Sequence, residues 1–156
     1  DSGKIKGLME KLKEEGKYEI DDNMKKELKG FVGGYATEED TAKAITDVYK
    51  ATNYVIDTHT AVSYAVYQKY LEETKDTTKT VIVSTASPYK FTPDVMKSID
   101  TKYTGLNDFE LIKELSKITK GDIPIGIKNL ETRPVLHKTV CKKNEMQIQI
   151  EKILNI

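Results

Sequence analysis

Thr80-Val81-Ile82-Val83 runs directly into Ser84-Thr85-Ala86-Ser87-Pro88-Tyr89-Lys90-Phe91, and the reading of this stretch decides the fold. An unbroken β-branched run is the pattern of a strand covered on both faces, as in a parallel sheet, rather than one half exposed. The run therefore predicts a core strand tipped with hydroxyls. In open α/β sheets, ligands lie beyond the carboxyl ends of strands, where loops present donors over a rigid support. Ser84, Thr85 and Ser87 are candidates for such a site. The plainer role for the same hydroxyls is to satisfy backbone groups in a turn or cap.

Helical patterns flank this stretch on both sides. Ile5, Leu8, Met9 and Leu12 fall at i, i+3, i+4 and i+7, which predicts one apolar stripe on a helix, and Gly16 is suited to a left-handed stop. Met24 and Leu28 suggest a weaker second helix ending near Gly30, followed by a short strand at Phe31-Val32-Gly33-Gly34-Tyr35. Thr37 with Asp40 places a hydroxyl and a carboxylate where a helix N-terminus needs them. That helix should run to about Asn53 with Thr41, Ile45, Val48 and Tyr49 inward. After the extended Tyr54-Val55-Ile56, a helix from about Thr60 carries Ala61, Tyr64, Ala65 and Leu71 on one side and Val62, Val66 and Tyr70 on another.

Beyond Phe91, Thr92-Pro93-Asp94 gives a capping hydroxyl, a proline at the first helical position and a carboxylate in the first turn, predicting a helix to about Ile99. Asn107 can cap a helix bearing Phe109, Ile112, Leu115 and Ile118, with Gly121 as its end. The segment from Ile123 to Val140 reads as irregular. A final helix from about Lys142 is expected to bury Met146, Ile150, Ile153 and Leu154. Alternating helices and short apolar strands imply an α/β class, a layered parallel or mixed sheet flanked by helices. With about two to four strands against the five or six of an average sheet, the sheet is expected to be incomplete. Residues 1–156 are read as one partial domain.

Composition narrows the function classes. The chain has 156 residues, 38% hydrophobic and 32% charged, as in an ordinary globular domain. Lys plus Arg and Asp plus Glu each total 25, so no net charge gathers nucleic acid or an anionic membrane. Cys141 is the single cysteine and there are two histidines; this excludes a disulfide framework and a cysteine-rich zinc site and fits a reducing cytoplasm. No apolar run reaches the roughly 18 to 20 residues of a membrane helix. Asp1-Ser2-Gly3 carries no initiator methionine and leads straight into a helical pattern, so the expectation is a chain cut from a larger one.

A second candidate segment is Ile56-Asp57-Thr58-His59-Thr60-Ala61-Val62, where a histidine and hydroxyls stand at a helix start. Free N–H groups and the helix dipole can hold a phosphate or carboxylate there. The alternative is a cap made by Asp57 or Thr60 with His59 hydrogen-bonded nearby. Gly33-Gly34 lacks the spacing of a phosphate loop or a dinucleotide fingerprint and reads as a bend. His137, near Arg133 and Lys138, offers an anion site or, as the favoured reading, part of a basic surface loop, and Cys141 reads as a plain thiol rather than a nucleophile.

The string Ser84-Thr85-Ala86-Ser87-Pro88-Tyr89-Lys90-Phe91 resembles the Ser-Thr-Ala-His/Ser-Pro-x-Lys-Phe signature of threonine synthases. Asp57-Thr58-His59-Thr60-Ala61-Val62 is similar to the same family's Asp-Pro-His-Thr-Ala-Val segment, with Thr58 in place of proline. Phe31 to Ala36 with its acidic helix start, and His137 to Cys141, also look like the family's C-terminal third. The resemblance implies a parent enzyme of fold type II that converts O-phospho-L-homoserine and water to L-threonine and phosphate on pyridoxal phosphate.

It further implies that the Schiff-base lysine and the glycine-rich phosphate loop belong to the remaining N-terminal part, a required partner. This chain is then expected to be inactive alone and not to retain the cofactor. Thr85, with Ser84 as second choice, resembles the hydroxyl directed at the pyridine nitrogen; a neutral group there does not force the ring to be protonated. His59, Thr60, Ser87 and Lys90 are expected to line the cleft, Lys90 either meeting phosphate or anchoring its loop. An exposed sheet edge would favour self-association. The competing reading is a non-catalytic binding or regulatory domain for a phosphate ester or amino acid.

Overall fold

The computed structural model describes residues 1–156 as a succession of seven α-helices: α1 (Ser2–Glu15), α2 (Asp22–Glu27), α3 (Glu38–Thr52), α4 (Thr58–Thr74), α5 (Thr92–Ile99), α6 (Asp108–Thr119) and α7 (Met146–Leu154). Short 3-10 turns occupy Pro88–Phe91, Thr101–Tyr103, Leu130–Thr132 and Lys143–Glu145. There is no β-strand. The α/β expectation is therefore corrected to a helical domain.

Local chemistry accounts for the helix boundaries. At α3 the Asp40 amide donates to Thr37 Oγ1 (3.1 Å) and the Thr37 amide donates to Asp40 Oδ2 (3.0 Å), a reciprocal cap. Asn107 does the same with Glu110 at α6. Gly16 (φ 74°) ends α1 and Asn53 (φ 56°) ends α3 in the left-handed region, where glycine and asparagine cost least. The end of α6 falls one residue earlier than expected, at Lys120. Thr92 also departs from expectation: it is buried, its hydroxyl donates to the Tyr89 carbonyl (3.1 Å), and α5 has no side-chain cap.

The core lies where α3 packs on α4 and α5, and α5 on α6. Ala44 and Ile45 of α3, Ala61 and Ala65 of α4, Val95 and Met96 of α5, and Leu111 and Leu115 of α6 form one buried cluster with Val55, Ile56 and Tyr103. Alanines at 44, 61 and 65 let α3 and α4 approach closely. Polar ties reinforce the contact. The Thr46 hydroxyl lies within hydrogen-bonding reach of the Ser98 carbonyl, linking α3 to α5. Lys69 of α4 donates to Asp40 Oδ2 (2.7 Å) and to the Tyr35 carbonyl (3.2 Å). The Lys69 bond, with the Thr37 amide, holds the Asp40 carboxyl down at about 2.

The stretch that suggested a core strand is the largest correction. Val81 is 84% and Val83 70% exposed, and residues 79–86 make no backbone hydrogen bond. A β-branched run fits a strand wherever a neighbour pairs with it, and no segment of this chain hydrogen-bonds to it through the backbone. The same holds for Phe31, Val32 and Tyr35, all exposed. There is thus no sheet edge. The second face of α4 instead carries this segment: a Cβ added to Gly34 would lie 2.6 Å from Val66 Cγ1, so glycine permits the close approach. The α7 residues Met146, Ile150, Ile153 and Leu154, expected to be buried, are exposed, because α7 packs mainly on the turn that precedes it.

These placements separate two substitutions of apolar residues. Leu115→Ala should cost about 2–5 kcal/mol by urea denaturation, the range for emptying a packed leucine site. Val81→Lys should change stability by no more than about 0.5 kcal/mol. Comparable losses at both positions would mean that residues 80–83 are packed.

Candidate functional site

Asp57 lies between the buried Val55-Ile56 pair and the first turn of α4, and is itself only 1% exposed. Its Oδ1 accepts from the amides of His59 (2.8 Å) and Thr60 (3.4 Å), its Oδ2 accepts from the Thr60 hydroxyl, and His59 Nδ1 stands 3.3 Å from Oδ1. Burial pushes the carboxyl up; the Thr60 hydroxyl, the two amides and the His59 side chain together outweigh it and hold the group below its usual range. Asp57 is consequently an anion at neutral pH. It also fills the helix N-terminus that could have held a phosphate, so of the two roles open for this segment the structure has the cap.

The loop from 84 to 91 comes down on this same turn. Thr60 Oγ1 and Ser84 Oγ are 3.1 Å apart, and the rings of His59 and Phe91 stand 5.1 Å apart at 47°. The two segments, 24 residues apart at the Thr60–Ser84 contact, are thereby joined at both ends of one short face. Ser87 accepts from the Tyr89 amide (3.3 Å) and starts the turn Pro88–Phe91. Lys90 Nζ lies 5.3 Å from the Phe91 ring centre, and the Lys90 side chain is exposed, as is that of Thr85. Thr92 fastens the turn to the core through the Tyr89 carbonyl.

The residues singled out from sequence thus fall into two groups. Thr60 and Ser84 touch directly, and His59 approaches the loop through Phe91. Thr85, Ser87 and Lys90 follow on the same loop with no hydrogen bond to α4. A groove of about 690 Å³ lies elsewhere, lined by Gly34, Val62, Val66, Tyr70 and Thr80 among others, and none of the six lines it. No group of three or more His, Cys, Asp or Glu side chains could hold a metal ion, and no helix is long and apolar enough to cross a membrane. Sequence reasoning offered Asp57 only as a cap and missed its place at the centre of the cluster. Its signal was an acid three residues before a threonine at the end of an apolar pair.

Comparison with known proteins bears on what this cluster belongs to. The family model described as "Threonine synthase, C-terminal" matches residues 60–147, more than half of the chain. The chain belongs to that family. Human threonine synthase-like 1 is 24% identical over 146 residues, covering 92% of this chain and 18% of the human protein. Mouse threonine synthase-like 1 is 33% identical over 72 residues, 46% of this chain and 9% of that protein. The threonine synthase of Schizosaccharomyces pombe is 42% identical over 62 residues, 39% of this chain and 12% of its own length. The chain therefore spans less than a fifth of the curated relatives it matches. Within the threonine synthase match fall Thr60, Ser84, Thr85, Ser87 and Lys90, while Asp57 and His59 stand just before it.

Asp57→Ala should destabilise the chain by about 0.5–2 kcal/mol in urea, the usual cost of a lost N-cap. The pH dependence has a definite sign. Because the folded carboxyl titrates below its unfolded value of about 3.9, its contribution is full above that value and disappears as pH falls through the lower folded one. As pH falls through and below the ordinary carboxylate range, the wild type should lose more stability than Asp57→Ala, so that the two converge. Parallel pH profiles would contradict the assignment.

Proposed function

We propose that this chain forms one wall of the pyridoxal-phosphate cleft of a threonine synthase, with Ser84 and Thr85 facing the pyridine ring and His59 and Thr60 lining the cleft from the start of α4. The contact between Thr60 and Ser84 at 3.1 Å carries this reading. It joins, in a chain that belongs to the family, the hydroxyl-bearing loop at Ser84 to the start of α4 that carries His59.

The donor set supports the cofactor. Threonine synthases are in general pyridoxal-phosphate enzymes, and a pyridine nitrogen needs a hydrogen-bonding group beside it. Ser84 and Thr85 are exposed, uncharged hydroxyls on a loop fastened to the domain at Thr60 and Phe91. The one buried carboxylate nearby, Asp57, is 1% exposed and engaged by donors of its own helix. This chain thus places no carboxylate at the ring to force its protonation, and hydroxyls can meet the ring nitrogen in either protonation state. The amides of His59 and Thr60 are engaged by Asp57, so the start of α4 is not open to the cofactor phosphate.

When bound, pyridoxal phosphate supplies the electron sink for replacement of the phosphate ester of O-phospho-L-homoserine by water, the reaction proposed for the whole protein. The residues of this chain position and solvate. Thr85 and Ser84 fix the ring edge by hydrogen bonds. His59 and Phe91 form a half-apolar wall that limits water at one side. Ser87 shapes the turn that presents Lys90, whose ammonium is free to meet a phosphate oxygen. The remaining polypeptide is the partner that carries the Schiff-base lysine and covers Val81 and Val83, so this chain alone retains no cofactor and forms no threonine.

In the full-length threonine synthase carrying this segment, Ser84→Ala and Thr85→Val should each weaken cofactor retention by about three- to tenfold, the scale of one neutral hydrogen bond of 0.5–1.5 kcal/mol. The isolated chain should show no dialysis-stable cofactor absorbance. Undiminished retention in both variants, or a stoichiometric cofactor on the isolated chain, would overturn the proposal.

A further inference from the structure

The cluster at the start of α4 fixes more than position. Thr60 has a single hydroxyl proton and two oxygen neighbours, Asp57 Oδ2 and Ser84 Oγ at 3.1 Å. The His59 amide at 2.8 Å and the Thr60 amide at 3.4 Å both donate to the Asp57 carboxylate, and His59 Nδ1 stands 3.3 Å from it. An ionised carboxylate only accepts, so the Thr60 proton goes to Asp57. The contact between the hydroxyls can then be a hydrogen bond only if Ser84 donates to Thr60. This consumes the single proton of Ser84 and leaves its lone pairs to the exposed side.

We infer that Asp57, acting through Thr60, is a positioning residue that sets Ser84 as a hydrogen-bond acceptor toward the cleft, so that Ser84 takes a ligand N–H while Thr85 alone can donate to an unprotonated ring nitrogen. The division of labour rests on the reading of 84–85 as the cofactor-facing hydroxyls; the orientation of the relay does not. Thr60 is buried and Asp57 nearly completely so, so water does not compete for their mutual bond. Ser84 is exposed and can meet a ligand. The depressed carboxyl of Asp57 agrees with the ionised form that the argument needs.

Asp57→Asn separates orientation from mere capping. The amide oxygen can keep the bonds to the backbone amides, while the amide nitrogen that replaces Oδ2 donates to Thr60 instead of accepting from it. Thr60 must then give its proton to Ser84, and the Ser84 proton turns outward. One isosteric change thus reverses the polarity of a hydroxyl two residues removed in the network, with the helix start intact.

Neutron diffraction from deuterium-exchanged crystals of this chain near neutral pH locates these protons. The expected result is a deuteron on Thr60 Oγ1 pointing at Asp57, a deuteron on Ser84 Oγ pointing at Thr60, none on Asp57, and both hydroxyl deuterons reversed in Asp57→Asn. In solution, the 13C shift of the Asp57 carboxyl at pH 7 should be that of a carboxylate; a neutral acid there, or a Ser84 deuteron pointing to solvent in the wild type, overturns the relay. In the full-length enzyme with ring-15N pyridoxal phosphate, a ring shift changed at least as much by Asp57→Asn as by Ser84→Ala supports the ring N–H as the donor. A raised KM for O-phospho-L-homoserine in Ser84→Ala and Asp57→Asn, with the ring shift unchanged, supports the substrate ammonium. If Ser84→Ala changes neither while the deuterons lie as expected, the cofactor-facing reading fails and the relay stands.

Discussion

A buried carboxylate with every oxygen occupied is the interaction on which the rest of this structure depends. Removing Asp57 from water is costly, and the cost is offset only because two amides, a hydroxyl and an imidazole converge on it. Those donors exist only if the chain turns into α4 at Thr58. The start of α4 is therefore tied to one residue, and with it the register of Ala61 and Ala65 against α3. The same hydroxyl that satisfies Asp57 reaches Ser84, so a stability device and a candidate binding feature share one atom.

How much of this was legible in the sequence depended on whether the deciding chemistry was local. Thr37 with Asp40, Asn107 with Glu110 and Gly16 announce helix ends through bonds spanning a few residues, and the helices begin and end close to those marks. Val81 to Val83 announced a strand and did not become one, because strand pairing is settled by a neighbour distant in sequence that this chain does not provide. The apolar stripe of α7 was equally visible, yet a stripe records only that a face could be buried. No helix lies over Met146, Ile150 and Ile153.

The candidate site was partly legible for the same reason. Both hydroxyl-bearing segments stood out as motifs, and the resemblance named their family. The physical link between them did not stand out: nothing in the spacing of Thr60 and Ser84 says that their hydroxyls meet, nor that the acid before α4 would dictate the direction of that bond. The helix start that looked open to a phosphate is closed by its own aspartate. Val81 and Val83 stay exposed beside a loop fastened at Thr60 and Phe91, so the anchoring of this loop comes from its polar and aromatic ends and not from its apolar run.

The central claim, that Asp57 clamps the start of α4, is tested most directly by native-state hydrogen exchange at the amides of His59 and Thr60. Both amides donate to a buried carboxylate, so they should exchange as slowly as amides in the middle of α4, and Asp57→Ala should accelerate them selectively by at least tenfold. Fast exchange in the wild type, typical of a fraying helix end, would contradict the account.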